Sequence, residues 1–136
     1  MNWSFDLSPE ERHLAKVGDL DALERIALNA GEEFSIAGDY ERIFEALDNR
    51  PATNPEIILD WGQRYIAWAA SFTERDGYPI MTADWAKRLF DHAMFLRRPD
   101  IARRVADAIL RSYAPLEKER RWWQKQRYAL TQNESP

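Results

Sequence analysis

Apolar side chains recur at steps of three or four residues through most of this sequence, and this spacing limits the folds open to the chain. The clearest run follows Asn54-Pro55-Glu56, with large apolar residues at Ile58, Trp61, Tyr65, Trp68 and Phe72. Such spacing places the side chains on one stripe of an α-helix. No sustained alternation of apolar and polar residues occurs, and no Asn-Gly or Asp-Gly pair lies between β-branched runs. We therefore predict an all-α fold.

Proline, glycine and capping residues divide the chain into helices. Ser8-Pro9-Glu10-Glu11 is typical of a capping box with proline in the first turn. Gly18-Asp19 predicts the end of one helix and the cap of the next, and Gly38-Asp39 predicts a second break of this kind. Further helix starts are predicted at Asn54-Pro55, Thr82, Arg98-Pro99 and Pro115, with a connection over 73–81.

These boundaries predict one compact domain over 1–131, followed by a frayed tail over 132–136. We expect a bundle or a short stack of six to seven helices, in which most neighbouring helices are antiparallel. The segment Leu14-Ala15-Lys16-Val17-Gly18-Asp19-Leu20-Asp21-Ala22-Leu23 resembles the helix–turn–helix segment of ankyrin repeats. It lacks the Thr-Pro-Leu-His signature of that family, so the resemblance implies a helical pair and no ankyrin function.

Residue types that common catalytic and metal sites need are scarce. The chain has no cysteine, which excludes disulfides, thiolate metal sites and thiol nucleophiles, and its five glycines form no phosphate-binding loop. Glu10 and His13 have the i, i+3 spacing used by di-iron bundles, which need a second such pair. The matching position before His92 holds Leu89. We predict a protein that is not an enzyme and has no cofactor or metal site.

Neither export nor membrane insertion is predicted. Residues 1–10 lack the basic and apolar regions of a signal peptide. The most apolar window, 57–72, is interrupted by Asp60, Gln63 and Arg64, so it does not resemble a membrane span. We expect a cytoplasmic protein with no membrane partner.

The net charge of −4 conceals a steep charge asymmetry along the chain. Residues 1–96 carry 18 acidic and 9 basic side chains, whereas residues 97–136 carry 5 acidic and 10 basic ones. Such asymmetry bears on the choice of partner. The basic part either folds back on the acidic helices or is available to another molecule.

The last predicted helix combines arginine with tryptophan, two residue types that dominate interface hot spots. Adjacent tryptophans lie about 100° apart on a helix, so a narrow buried stripe cannot cover both. We predict a partner-binding group formed by Trp122, Trp123, Arg120, Arg121, Lys125 and Arg127. The alternative is structural: one tryptophan packs on the bundle, the other lies under arginine stems, and the charges are solvated.

The function predicted from these residues is that of a small adaptor, inhibitor or assembly factor that binds a protein partner through this helix. A homodimer and a nucleic-acid partner remain alternatives, although the overall acidity disfavours nucleic acid. A further alternative is an acidic inhibitor that occupies the basic groove of a nucleic-acid-binding protein. Its acidic side chains would come from Asp19, Asp21, Glu24, Glu32, Glu33, Asp39, Glu41, Glu45 and Asp48.

Overall fold

The computed structural model describes residues 7–49, 54–76, 83–112 and 117–134. These residues form seven helices and no strand, which confirms the all-α fold class. The helices are α1 (Pro9–Val17), α2 (Leu20–Leu28), α3 (Glu33–Asp48), α4 (Pro55–Asp76), α5 (Ala83–Phe95), α6 (Pro99–Ser112) and α7 (Glu117–Glu134). The predicted starts at Thr82 and Pro115 lie outside the described residues. Within those residues, no helix combines the length and apolar composition that crossing a membrane requires.

The chain divides into two compact units, residues 1–65 and 66–136, with the boundary inside α4. The single domain predicted over 1–131 remains a prediction. Two predicted boundaries need correction at their ends. Helix α4 continues to Asp76, which is inside the predicted 73–81 connection, and α7 continues to Glu134, beyond the predicted end at Thr131.

Local capping in the first unit follows the sequence closely. The Ser8 hydroxyl accepts a hydrogen bond from the Glu11 backbone N–H at 3.1 Å, and the Glu11 carboxylate accepts one from the Ser8 N–H at 2.9 Å. This is the predicted capping box. Gly18 ends α1 in the left-handed conformation, with φ 76°, and the Asp19 carboxylate then caps α2 through the Ala22 N–H at 3.1 Å.

The break predicted at Gly38-Asp39 is wrong, because α3 runs through both residues. A single helical glycine costs about 1 kcal/mol, and packing can outweigh that cost. Ala37 and Tyr40, on either side of the pair, are both buried. Asp39 does not cap a helix, since its carboxylate accepts hydrogen bonds from Arg42 at 2.8 and 3.1 Å.

The core of the first unit is built around aromatic rings from α3 and α4. Trp61 is fully buried, its ring centre lies 5.0 Å from that of Tyr40, and its indole N–H donates to the Tyr40 carbonyl at 3.0 Å. Tyr65 meets Tyr40 edge-on at 5.5 Å and donates its hydroxyl to Glu41 at 2.8 Å. Burial, reinforced by the charge of Glu41, raises the pKa of Tyr65 well above its ordinary value. These contacts fix the register between α3 and α4.

In the second unit, α5 and α6 are joined by a corner of the same type as the one after α1. The Arg97 N–H bonds to the Met94 carbonyl at 3.1 Å and the Arg98 N–H to the Ala93 carbonyl at 2.8 Å. This hydrogen-bond pair is a Schellman motif, and its left-handed position is occupied by Arg97, with φ 56°. Among the described residues, no other non-glycine residue has a positive φ.

Helical spacing in the sequence predicts an inward face of α5 formed by Trp85, Ala86, Leu89, Phe90, Ala93 and Met94, and an inward face of α6 formed by Ile101, Val105, Ala108, Ile109 and Tyr113. Ala86, Leu89, Phe90 and Ala93 of α5 are buried as predicted, and so are Ile101, Val105 and Ile109 of α6. Trp85 and Ala108 are half-buried, and Tyr113 lies outside the described residues. Met94 was placed on the inward face but is exposed. It lies in the last turn of α5, where the chain turns away into the Arg97 corner.

We predict that Glu11→Gln destabilises the fold by about 2 kcal/mol at neutral pH. Glu11 is 4% exposed and bonds to the Arg42 guanidinium at 2.5 and 3.2 Å. Burial alone would raise the pKa of Glu11, but the hydrogen bonds from Arg42 and Ser8 outweigh it, so the pKa is lowered. The stabilisation is therefore present above the unfolded pKa and disappears as the pH falls through the lower folded value.

Urea unfolding of both proteins as a function of pH measures this effect. The gap between wild type and Glu11→Gln should close in acid. Glu10→Gln, at the exposed neighbouring position, is the matched control and should change stability little. A gap that stays constant down to the acid transition would contradict the assigned role of the carboxylate.

We also predict that Arg97→Gly stabilises the protein by about 1 kcal/mol, because only glycine adopts the left-handed conformation without steric cost. Gly18 holds the equivalent position after α1, and a side chain there would extend into open space. Gly18→Arg should therefore lose a similar amount through backbone strain alone. Thermal unfolding of both variants gives the two values, and a destabilised Arg97→Gly would show that the arginine side chain contributes more than its backbone costs.

Candidate functional site

One face of α7 is fixed by aromatic packing. Trp123 is only 2% exposed, and its ring centre lies 5.4 Å from Phe90 of α5 in an edge-to-face arrangement. Leu130, two turns later, is also buried. Because residues seven apart lie on nearly the same side of a helix, these two residues define the buried face of α7.

Trp122 lies beside this face and is half-buried. Its ring centre is 5.6 Å from Phe90 and 4.8 Å from Trp123, again edge-to-face. The Lys87 ammonium lies 5.3 Å from the centre of the Trp122 ring, which is cation–π distance. Much of the surface of both tryptophan side chains is thus buried by contacts within the second unit.

An open groove of about 560 Å³ lies between α6 and α7. The residues that give it chemical character are Asp107, Arg111, Arg120, Gln124, Arg127 and Tyr128. Tyr128 is 66% exposed, which presents a large ring to solvent at the edge of the groove. The volume lies within the range of natural ligand sites. The groove combines guanidinium groups, an aromatic ring and amide groups on one surface.

The charges in this α6–α7 groove are only partly balanced. Arg127 forms an ion pair with Asp107, which ties α7 to α6. Arg111 and Arg120 line the same groove from the two helices, and neither has a carboxylate partner among the described residues. Within the part of the chain that the structure describes, two cationic side chains therefore line the groove without an ion pair of their own.

The six residues predicted as a partner-binding group separate into different environments. Trp123 is core and Trp122 is half-buried, whereas Arg120 and Arg127 line the groove, the latter paired with Asp107. Arg121 and Lys125 are exposed and lie outside the groove lining. Their helical positions place them on the outer face of α7, about 100–140° around the axis from Arg120.

The predicted partner-binding group left out four of the six residues that give the groove its chemical character: Asp107, Arg111, Gln124 and Tyr128. The apolar pattern of α6 correctly turns Ile101, Val105 and Ile109 inward and therefore leaves Arg111 outside. The pattern does not predict that α7 packs beside the outer side of α6 at Arg111. Tyr128 follows the tryptophans by more than one turn, and only the burial of Trp123 shows that its ring is turned to solvent.

Several acidic side chains of the first unit are engaged in contacts within that unit. Arg64 bonds to Asp21 at 2.9 Å and lies 3.5 Å from Glu24. Glu41 accepts the Tyr65 hydroxyl hydrogen bond, and Asp39 holds Arg42. These carboxylates stabilise the helix contacts, which favours a structural role for part of the acidic cluster.

The two histidines lie in ordinary surroundings. His13 is exposed on α1, and His92 is half-buried in the last turn of α5 with an interaction of its own. Across 7–49, 54–76, 83–112 and 117–134, no three His, Asp or Glu side chains are grouped closely enough to hold a metal ion.

We predict unequal effects of the two tryptophans on stability. Trp123→Ala should lower the free energy of unfolding by about 3–5 kcal/mol, because it empties a buried aromatic site. Trp122→Ala should cost about 1–2 kcal/mol, since the ring is half-buried. Urea unfolding followed by circular dichroism measures both, with Trp122→Ala as the control for the loss of an indole. Equal losses would contradict the placement of Trp123 as the anchor of α7.

Comparisons with protein-family models, with curated proteins and with solved structures found no match to this chain. A fold class by itself does not define a function, since function is carried by particular sites. The basis for a functional proposal is therefore the chemistry of the α6–α7 groove.

Proposed function

We propose that this protein is a non-enzymatic interaction module whose α6–α7 groove binds an acidic segment of a partner protein. The observation that carries the proposal is the convergence of Arg111 and Arg120, from two helices, on one groove without a described carboxylate partner. Arginine presents a planar fork of donors that matches the two oxygens of a carboxylate. Two such forks favour a ligand with at least two carboxylates.

The groove also offers apolar contact beside the charges. Tyr128 is exposed at its edge, and Leu110 lines its wall on α6. Aromatic and arginine side chains together form the usual energetic centre of protein interfaces. An acidic segment that also carries an apolar or aromatic residue therefore fits the groove better than carboxylates alone.

The outer face of α7 supports the same class of partner. Arg121 and Lys125 are exposed there, four residues apart and outside the groove. Exposed charges of one sign contribute little affinity but raise the rate at which an oppositely charged partner arrives. These two side chains would steer an acidic partner toward α7.

A protein partner is favoured over nucleic acid by the charge within the groove. Asp107 also lines the groove, and its carboxylate disfavours a phosphate backbone there. The chain as a whole carries a net charge of −4, which adds to that repulsion. A peptide can place its carboxylates against the arginines and its backbone N–H groups against Asp107 or Gln124. It therefore offers partners to both the positive and the negative groups of the groove.

We predict that the chain binds a fluorescently labelled peptide of mixed Glu and Phe residues, measured by anisotropy, and that Arg111→Gln/Arg120→Gln weakens this binding about 10- to 100-fold. A peptide with Gln in place of every Glu should bind far more weakly. The affinity should also fall as salt is raised, because the contacts are ionic.

The matched control is Arg121→Gln/Lys125→Gln, which removes the same charge from the outer face of α7. It should reduce the binding only slightly and mainly through the association rate. Equal losses in both double variants would place the contact on the outer face and contradict the groove. Tighter binding of a single-stranded oligonucleotide than of the acidic peptide would replace the protein partner with nucleic acid.

A further inference from the structure

An exposed aromatic ring directly follows two acidic residues where the chain passes from α2 into α3. Phe34, in the first turn of α3, is 71% exposed, and residues 29–35 are exposed throughout. Glu32 and Glu33 immediately precede it. We call Glu32, Glu33 and Phe34 the acidic knob.

Little in the fold of the first unit accounts for a phenylalanine at this position. The buried face of α3 begins only at Ala37 and continues through Tyr40, Ile43 and Phe44. Glu32 occupies the N-cap of α3, yet its side chain makes no capping hydrogen bond. The Phe34 ring and the Glu32 carboxylate therefore do not serve to start α3. An exposed aromatic ring also lowers the solubility of a protein.

The acidic knob has the chemistry that the α6–α7 groove requires. The knob offers carboxylates beside an exposed ring, and the groove offers Arg111 and Arg120 beside the exposed Tyr128. A groove of about 560 Å³ has room for a phenyl ring and the carboxylates next to it. Charge and apolar character thus correspond on the two surfaces.

We infer that the acidic knob of one copy of this chain docks in the α6–α7 groove of a second copy. The inference rests on the proposed function, since it names the acidic segment that the groove accepts. Phe34 and Tyr128 are both largely exposed in the single chain, so each is available to another molecule. The contact joins two different surfaces, and each copy carries one of each.

Because every copy has a knob and a groove, two copies can exchange the contact in both directions. The second contact then forms within the pair and benefits from a high effective concentration. If the geometry does not close, the same contact joins copies into a growing chain. Either outcome gives a mass that rises with protein concentration.

The first test measures molecular mass by sedimentation velocity across protein concentration, at low salt and at about 1 M salt, where the screening length falls to about 3 Å. Mass should rise with concentration at low salt and return toward one chain at high salt. Phe34→Ala, which changes no charge, should weaken the self-association roughly 30-fold. Circular dichroism verifies that each variant is folded.

The decisive test exchanges the charges. The knob variant Glu32→Arg/Glu33→Arg and the groove variant Arg111→Glu/Arg120→Glu should each fail to self-associate, because each meets like charges in its own second copy. In an equal mixture, the reversed knob of one meets the reversed groove of the other, and the two unaltered surfaces also match. The mixture should therefore regain the wild-type mass.

Control variants change the same charge elsewhere. Glu10→Arg/Asp60→Arg matches the knob variant, and Lys16→Glu/Arg25→Glu matches the groove variant, all at exposed positions. Both should associate as wild type does. A single-chain mass at every concentration in low salt would overturn the inference, as would self-association that the Phe34, knob and groove variants leave unchanged, or a mixture that fails to associate.

The outcome also separates this inference from the proposed function. A chain that stays monomeric but binds the labelled Glu–Phe peptide through Arg111 and Arg120 retains the proposed function and loses only the second copy as partner. A chain that neither self-associates nor binds the peptide loses both.

Discussion

The packing of Trp123 against Phe90 determines which side chains of α7 face α6 and which face solvent. Trp123 is almost fully buried, and it therefore sets the rotation of α7 about its own axis. That rotation brings Arg127 to Asp107 and Arg120 to the groove, while it leaves Tyr128 in solvent. Trp123, which the sequence predicts as a partner contact, thus contributes by positioning its neighbours on α7. An anchored helix presents its exposed side chains in a defined arrangement.

The charge asymmetry of the sequence has a different meaning in the two units. In the first unit, carboxylates such as Glu11, Asp21 and Glu41 hold helices together through Arg42, Arg64 and Tyr65. In the second unit, Arg127 has such a role through Asp107, whereas Arg111 and Arg120 do not within the described part of the chain. A charged side chain without an ion pair in its own chain is the better candidate for partner binding. A side chain that already forms an ion pair gains little binding free energy from a second oppositely charged group.

The features that could be predicted are those fixed by neighbours in sequence. The capping box at Ser8 and the Gly18-Asp19 turn depend on residues within one helical turn, and the buried stripe of α6 depends on a period of 3.6. Gly38 was misread because the packing of Ala37 and Tyr40 overrides a local helix-breaking tendency. Arg111 was missed because the groove depends on which helices are neighbours, and local pattern does not contain that information.

We propose that the α6–α7 groove binds acidic segments, and residue-resolved NMR tests this binding most directly. Titration of isotope-labelled protein with the Glu–Phe peptide should shift the backbone resonances of Arg111, Arg120, Gln124 and Tyr128 together, with one saturation curve. Resonances in α1 and α2 should move little. Shifts confined to Arg121 and Lys125, or spread evenly over both units, would contradict the claim.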